Sequence, residues 1–206
     1  MADQHPFAQR WNADTQYYPR ITDLLEGHDV VLDAGCGEGT LARYLASSEA
    51  AFGQPSREGH HVIGLDADAK VLPPEYPGVH FMLGDAQQLP FPDASFDGVV
   101  AVGVLRALNA DLGLVEMRRV VRPGGRVVIL DTARNRIPVG IRHAYDALAG
   151  VVTRIRRTSW HPDVLDTAPE LDWRASRELI EANLPGATWK RLPFARWLAV
   201  WDAPAD

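Results

Sequence analysis

Cysteine is almost missing: the 206 residues contain one, Cys36. An intrachain disulfide and a zinc–cysteine cluster are therefore excluded. Long apolar runs are missing too, since none approaches the roughly 18 residues of a membrane-spanning helix. Basic charge is not in excess. Lys plus Arg total 21 against 27 for Asp plus Glu, a net charge of −6. That balance argues against a protein that grips nucleic acid by neutralising phosphates over a broad surface. The first residues, Met1 to Trp11, lack the apolar stretch of a signal peptide. The expectation is a cytoplasmic protein with no membrane span and no nucleic-acid partner.

What remains is an ordinary globular composition, 46% hydrophobic and 23% charged. A chain of this length is one generous domain, able to bury roughly 70% of its unfolded surface without a metal or disulfide. Five apolar runs read as strands: Val30 to Leu32, His61 to Leu65, Val79 to Leu83, Phe96 to Val102 and Arg126 to Leu130. They are continuous rather than alternating, as in parallel sheets covered by helices on both faces. Asp33, Asp66, Asp85 and Asp131 stand at or just beyond the C-terminal ends of four of them. In an open α/β sheet that edge is where ligands bind.

Helical spacing covers Pro19 to Glu26, ended by Gly27, and the stretch from Thr40 through Leu41, Tyr44 and Leu45. It recurs from about Asp111 to Val120, ahead of Pro123-Gly124-Gly125, and over 138–153 and 172–183. Residues 160–169 read as a loop, and Thr188 to Leu192 and Trp197 to Trp201 as two last strands split by Pro193. No internal repeat occurs, and residues 49–60 form a loop of no evident purpose.

The most informative segment is Val30-Val31-Leu32-Asp33-Ala34-Gly35-Cys36-Gly37-Glu38-Gly39-Thr40. Glycines allow a tight strand-to-helix turn and close approach of a ligand to the backbone. A dinucleotide site has the spacing G-x-G-x-x-G, with pyrophosphate at the helix N-terminus. Here the third glycine comes one residue early, and Asp33 and Glu38 flank the loop. Two carboxylates suit a ligand carrying an ammonium and a sulfonium better than a pyrophosphate.

This run resembles motif I of the class I S-adenosylmethionine-dependent methyltransferases. The other motifs follow in order: Val62-Ile63-Gly64-Leu65-Asp66, Gly84-Asp85-Ala86-Gln87-Gln88-Leu89-Pro90-Phe91, Phe91-Pro92-Asp93-Ala94-Ser95-Phe96-Asp97 and Arg119-Val120-Val121-Arg122-Pro123-Gly124-Gly125. The combination is most similar to the ubiquinone-biosynthesis-like small-molecule group. Trp11-Asn12, Tyr17-Tyr18-Pro19 and Phe194 to Trp201 resemble a bacterial subgroup, so the likeness spans about residues 11–202.

The resemblance implies a Rossmann-like, doubly wound α/β fold: a mostly parallel seven-stranded sheet with helices on both faces. It implies a single domain over 1–206, with 1–28 as an N-terminal cap and 132–170 as an acceptor-side insertion or lid. The implied activity is methyl transfer from S-adenosylmethionine to a small organic acceptor. A catalytically silent S-adenosylmethionine-binding partner protein is the alternative, and a nicotinamide-dependent oxidoreductase the remote one.

Residue by residue, the likeness assigns Asp33 to the loop and the methionine end of the cofactor. Gly35 and Gly37 give close backbone contact, with Cys36 between them as a small residue that fits rather than a nucleophile. Asp66, at an exposed strand edge, would hold the ribose hydroxyls, with Ala67 beside the adenine. Asp85 and Ala86 meet the adenine edge. Val102 lies near the methionine moiety, and Tyr17, with Tyr18 beside it, would close over the cofactor.

No metal site is implied. Many relatives carry His-His after the fourth strand, where this chain has Val104-Leu105-Arg106-Ala107-Leu108. A histidine there is thus missing as base. His143 and His161 are the candidate catalytic groups, and Tyr145, Trp160 and His161 the candidate acceptor contacts. Arg134, Arg136, Arg142, Arg154, Arg156 and Arg157 read as a solvated basic face. Pro73-Pro74 cuts short the helix expected after Asp66. The acceptor, the atom methylated and the oligomeric state stay open.

Overall fold

The computed structural model describes residues 10–47, 60–134, 158–159 and 170–205. The expected 138–153 helix, the 160–169 loop, nearly all of the 49–60 loop, His143, Tyr145, Trp160 and His161 lie outside these residues.

The chain opens with a two-residue strand β1 (Arg10–Trp11), a 3-10 turn (Thr15–Tyr17) and helix α1 (Tyr18–Leu24). Then come β2 (Val30–Ala34), α2 (Thr40–Ala46), β3 (His61–Asp66), β4 (Val79–Leu83) and β5 (Phe96–Val102). A 3-10 turn (Leu105–Ala107), α3 (Ala110–Val120), β6 (Val121–Thr132) and β7 (Thr158–Ser159) follow. The chain closes with α4 (Trp173–Asn183), β8 (Thr188–Arg191) and β9 (Arg196–Asp202).

Seven strands form one sheet in the order β4-β3-β2-β5-β6-β9-β8. The pairs from β4 to β6 are parallel, while β9 runs antiparallel to both β6 and β8. Strand order reverses between β2 and β5, which opens a crevice beyond their C-terminal ends. β1 and β7 pair separately, Arg10 with Thr158 and Trp11 with Ser159.

The continuous apolar strands are explained by cover on both faces. Leu32, Val99, Val127, Ile129 and Trp197 point to one side, where α3 and α4 supply Leu114, Met117, Ile180 and Leu184. Val31, Val100, Val128 and Leu130 point to the other, against Tyr18, Ile21, Leu25, Leu41 and Leu45 of α1, α2 and their edges. Alternation along each strand thus feeds two cores at once.

Two of the motifs hold the sheet together at the edge away from the crevice. Asp97 accepts the amides of Asp29 and Val30 at 2.9 and 3.0 Å and pairs with Arg122 at 2.6 Å. Arg119 binds Glu116 and Asp93, and donates to the carbonyls of Phe91 and Leu89. The last inner strand starts earlier than its sequence suggests. Val121 already pairs with Phe96, and the ladder resumes at Gly98–Arg126 after an irregularity. Pro123-Gly124-Gly125 is therefore a bulge inside β6, not its border. A side chain at Gly125 would meet the Asp97 carbonyl at 2.5 Å.

Candidate functional site

The crevice holds a cavity of about 510 Å³. Its floor is the glycine loop. Gly35, Gly37 and Gly39 have φ of 79°, 52° and 69°, a region that costs residues with a Cβ. The amides of Gly35 and Cys36 both donate to the Leu65 carbonyl, at 2.7 and 2.9 Å, which ties the loop to the end of β3. A side chain at Gly35 would lie 2.4 Å from the Val104 methyl. The loop is as close to its neighbours as backbone permits.

Asp33, Gly35, Cys36, Gly37, Asp66, Ala67, Asp85, Ala86 and Val102 all line this one cavity. Tyr17 does not. Its hydroxyl donates to the Pro193 carbonyl at 3.1 Å, on the β8–β9 hairpin. Tyr18 lines the cavity instead. Both rings pack on the core that holds Ile21 and Leu25, but Tyr17 closes the 3-10 turn ahead of α1 and its hydroxyl is drawn to the β8–β9 hairpin.

Asp33 is 2% exposed. Burial, and then the Asp66 carboxylate, raise its pKa to about 7, with the Ala42 backbone amide pulling the other way. Without a cation beside it this carboxyl resists ionisation near neutrality. Asp66 is only half-buried, but it is not the bare rim group expected at a strand edge. Its Oδ2 accepts the Gly37 amide at 2.8 Å and its Oδ1 the Asp68 amide at 2.9 Å. It fixes the loop and turns the chain after β3. Asp85 is exposed on the rim, its Oδ1 accepting the Gln87 amide at 2.8 Å, and Ala86 is buried beside it.

Burial pushes the Cys36 thiol up, with Asp33 and Asp66 adding to the shift; a protonated thiol is no nucleophile. Burial, Asp14 and Asp33 likewise hold the Tyr18 phenol protonated. Sequence reasoning missed Thr40, whose buried Oγ1 has no hydrogen-bond partner yet whose side chain lines the cavity. It also missed Asp14, which lines the cavity while paired with Arg196 of β9. Thr40 directly follows the glycine loop, so its position was the available signal, whereas Asp14 had none, because its partner Arg196 lies 182 residues away.

The residues fit S-adenosylmethionine. A buried hydroxyl without a partner, two carboxylates lining one cavity and a loop with glycine at every second position suit a ligand with polar edges and positive charge.

A second cavity, of about 630 Å³, adjoins the first and shares Gln87, Arg106, Ala107 and Leu108 with it. Asp131 lines it, accepting the Leu105 amide at 2.9 Å and the Thr132 amide at 2.6 Å. Burial raises the Asp131 pKa, against the two amides and Arg106. No histidine among the described residues lines either cavity. His28, His60 and His61 lie before or at the starts of strands, on the opposite edge of the sheet.

The family described as "Methyltransferase domain" matches residues 32–129. The chain is 28% identical over 204 residues to an uncharacterized methyltransferase of Mycobacterium bovis, covering 95% of this chain and 98% of that one. It is 34% identical over 190 residues to a protein of Mycolicibacterium smegmatis named "Probable S-adenosylmethionine-dependent methyltransferase", covering 82% and 68%. It is 37% identical over 123 residues to a ubiquinone/menaquinone biosynthesis C-methyltransferase of Burkholderia mallei, covering 56% and 47%. Among solved structures, a SAM-dependent methyltransferase from Methanosarcina mazei superposes with a TM-score of 0.62 at 21% identity, covering 92% and 99%.

Proposed function

The chain belongs to the class I S-adenosylmethionine-dependent methyltransferases, and from that premise we propose that it methylates a small organic molecule by in-line displacement. S-adenosylmethionine is its cofactor, and when bound supplies a methyl group already activated on sulfur. The chain's own task is to bind, orient and exclude water.

The observation that carries the reading is the meeting of Asp33, Asp66 and the glycine loop at one cavity. In this reading Asp33 faces the positive end of the cofactor, and gives up its proton there as that charge lowers its pKa. Asp66 keeps one oxygen on the Gly37 amide and offers its remaining lone pairs to the ribose hydroxyls. Ala67, Asp85 and Ala86 border the adenine. The backbone at Gly35, Cys36, Gly37 and Val102 passes close to the methionine part. Thr40 finds a partner for its hydroxyl in the cofactor, and Tyr18 takes the covering role first given to Tyr17.

Two features support a small acceptor. The adjoining cavity has the volume of a small-molecule site, about 630 Å³. The net charge of −6 disfavours a polyanion. A cytoplasmic location belongs to the same reading. Among the described residues no helix is long and apolar enough to cross a membrane.

Titration calorimetry with S-adenosylmethionine, S-adenosylhomocysteine, NAD and NADP tests the reading. The two sulfur nucleosides should bind and the nicotinamides should not. Binding of a nicotinamide alone would overturn it.

A further inference from the structure

We infer that Arg196 is a positioning residue for the cofactor. Through Asp14 it latches residues 12–17 shut as one wall of the cleft, and breaking this latch is the step that lets the cofactor enter and its product leave. The inference rests on the methyltransferase reading of the cleft.

The first observation is where the wall comes from. Every described residue that lines the cofactor cleft lies from Asp33 to Leu108, except Asn12, Asp14 and Tyr18. The sheet and its glycine loop supply the floor, and the segment ahead of α1 closes it from elsewhere in the chain. Tyr18, Ile21 and Leu25 are buried, so α1 itself is held by the core. Residues 12–17 are not held that way, since Thr15 alone among them is buried. Just before them, β1 pairs with β7 in a sheet of its own rather than with the main sheet.

The second observation is what ties this segment down. Inside, it is stapled into one piece: the Asn12 Oδ1 accepts the Asp14 and Thr15 amides, each at 2.8 Å. Outside, Asp14 and Tyr17 both reach the β8–β9 turn. The Arg196 Nε and Nη2 donate to the two Asp14 oxygens, and the Tyr17 hydroxyl donates to the Pro193 carbonyl at 3.1 Å. The ion pair joins residues 182 apart, with Arg196 15% and Asp14 21% exposed. A partly buried pair is screened far less than one at the surface, and a forked guanidinium on a carboxylate is among the stronger polar contacts.

The third observation is how Arg196 is aimed. The turn before it is Phe194-Ala195, with φ of 60° and 55°. Residues with a Cβ stay in that region only where their surroundings over-determine it. Here the Ala195 carbonyl accepts the Ala133 amide at 2.9 Å, just past β6, and the Phe194 carbonyl accepts the Arg196 Nη1 at 3.0 Å. The first bond fixes the turn on the sheet. The second sets the guanidinium plane and leaves its other edge for Asp14, so the fork is preorganised for a carboxylate.

A segment held by polar bonds opens at lower cost than the core beneath it. The latch is made between protein groups, so it opposes opening equally for a filled and an unfilled cleft. An interaction that is the same in both states shifts neither. The pair therefore governs exchange in both directions and leaves affinity nearly unchanged.

The test uses the full chain and S-adenosylhomocysteine, with association and dissociation rates from surface plasmon resonance. The double variant Asp14→Asn with Arg196→Met removes both charges and leaves the net charge as it was. Both rate constants should rise about tenfold or more, the scale of a hydrogen bond to a charged group, while the dissociation constant stays within about threefold. Tyr17→Phe, a milder change that keeps the ring, should raise both rates roughly two- to tenfold.

Unchanged rates in either variant would show that the cofactor passes without opening the latch. Faster dissociation alone, with a matching loss of affinity, would show that the segment is only part of the binding surface. Either result overturns the inference and leaves the cofactor reading intact. Failure of the wild-type chain to bind S-adenosylhomocysteine at all would overturn the cofactor reading and this inference with it.

Discussion

Asp33→Asn should stabilise the empty protein at alkaline pH while abolishing tight cofactor binding. Asp33 is buried, and its pKa stands at about 7 against an ordinary value of 3.8. Between those values the folded state holds a proton that the unfolded chain has lost. Since the folded state binds more protons, stability falls as pH rises from about 4 to about 7, and stays low above. That difference amounts to about 4 kcal/mol once the group is ionised in both states. Asparagine carries no charge and escapes this cost. Its extra N–H donors return about 1–3 kcal/mol if left without partners.

The clean quantity is therefore the change in the stability gap between variant and wild type with pH. It should move by about 3 kcal/mol in the variant's favour from pH 4.5 to pH 8, or roughly 6–12 °C in Tm for a chain of this size. Urea melts of the cofactor-free proteins at several pH values measure it. The same carboxyl must ionise to face a cation, so wild-type affinity for S-adenosylmethionine should rise from pH 5 to pH 7 with release of a proton. A stability gap that does not change with pH would refute the reasoning.

Asp66→Ala should weaken S-adenosylhomocysteine binding by about 1.5–3 kcal/mol, read by calorimetry. It should also lower the Tm of the empty protein, because the Gly37 amide loses its acceptor; an unchanged Tm would show the loop is held otherwise. Gly35→Ala should cost stability twice, through φ of 79° and through contact with Val104 at 2.4 Å. Adding Val104→Ala should recover only the steric part, and full recovery in a denaturant melt would refute the backbone argument. Arg119→Ala should destabilise by about 2–3 kcal/mol with little change in cofactor affinity, since its partners Glu116, Asp93 and the Leu89 and Phe91 carbonyls brace the 89–93 loop. A change confined to affinity would argue against that bracing role.

Much of the fold was legible because both faces of the sheet are buried. The continuous run Phe96 to Val102 coincides with β5, which is buried nearly throughout, and Val79 to Leu83 coincides with β4 although that edge strand is largely exposed. Helix α4 begins where Asp172 suggested, and that side chain accepts the Arg174 and Ala175 amides. Boundaries failed where local chemistry and pairing disagree. Pro123-Gly124-Gly125 reads as a stop, yet the partner strand supplies Phe96 to Val121, so β6 begins before it.

For the cleft beyond β2 and β5, the sequence by itself determined which groups are present. Glycines at three left-handed positions and acids at the strand ends are local features, and spacing reveals them. What only the tertiary structure decided is which distant groups share a space. Tyr18 rather than Tyr17 lines the cleft, and the Tyr17 hydroxyl goes instead to the Pro193 carbonyl, 176 residues away. Asp66 holds Gly37, although 29 residues separate them. Arg106 and Trp197 border one cavity because β9 turns back antiparallel along β6 and puts Trp197 beside Asp131. Register across a sheet depends on how whole strands bury their faces, and no spacing within one segment encodes it.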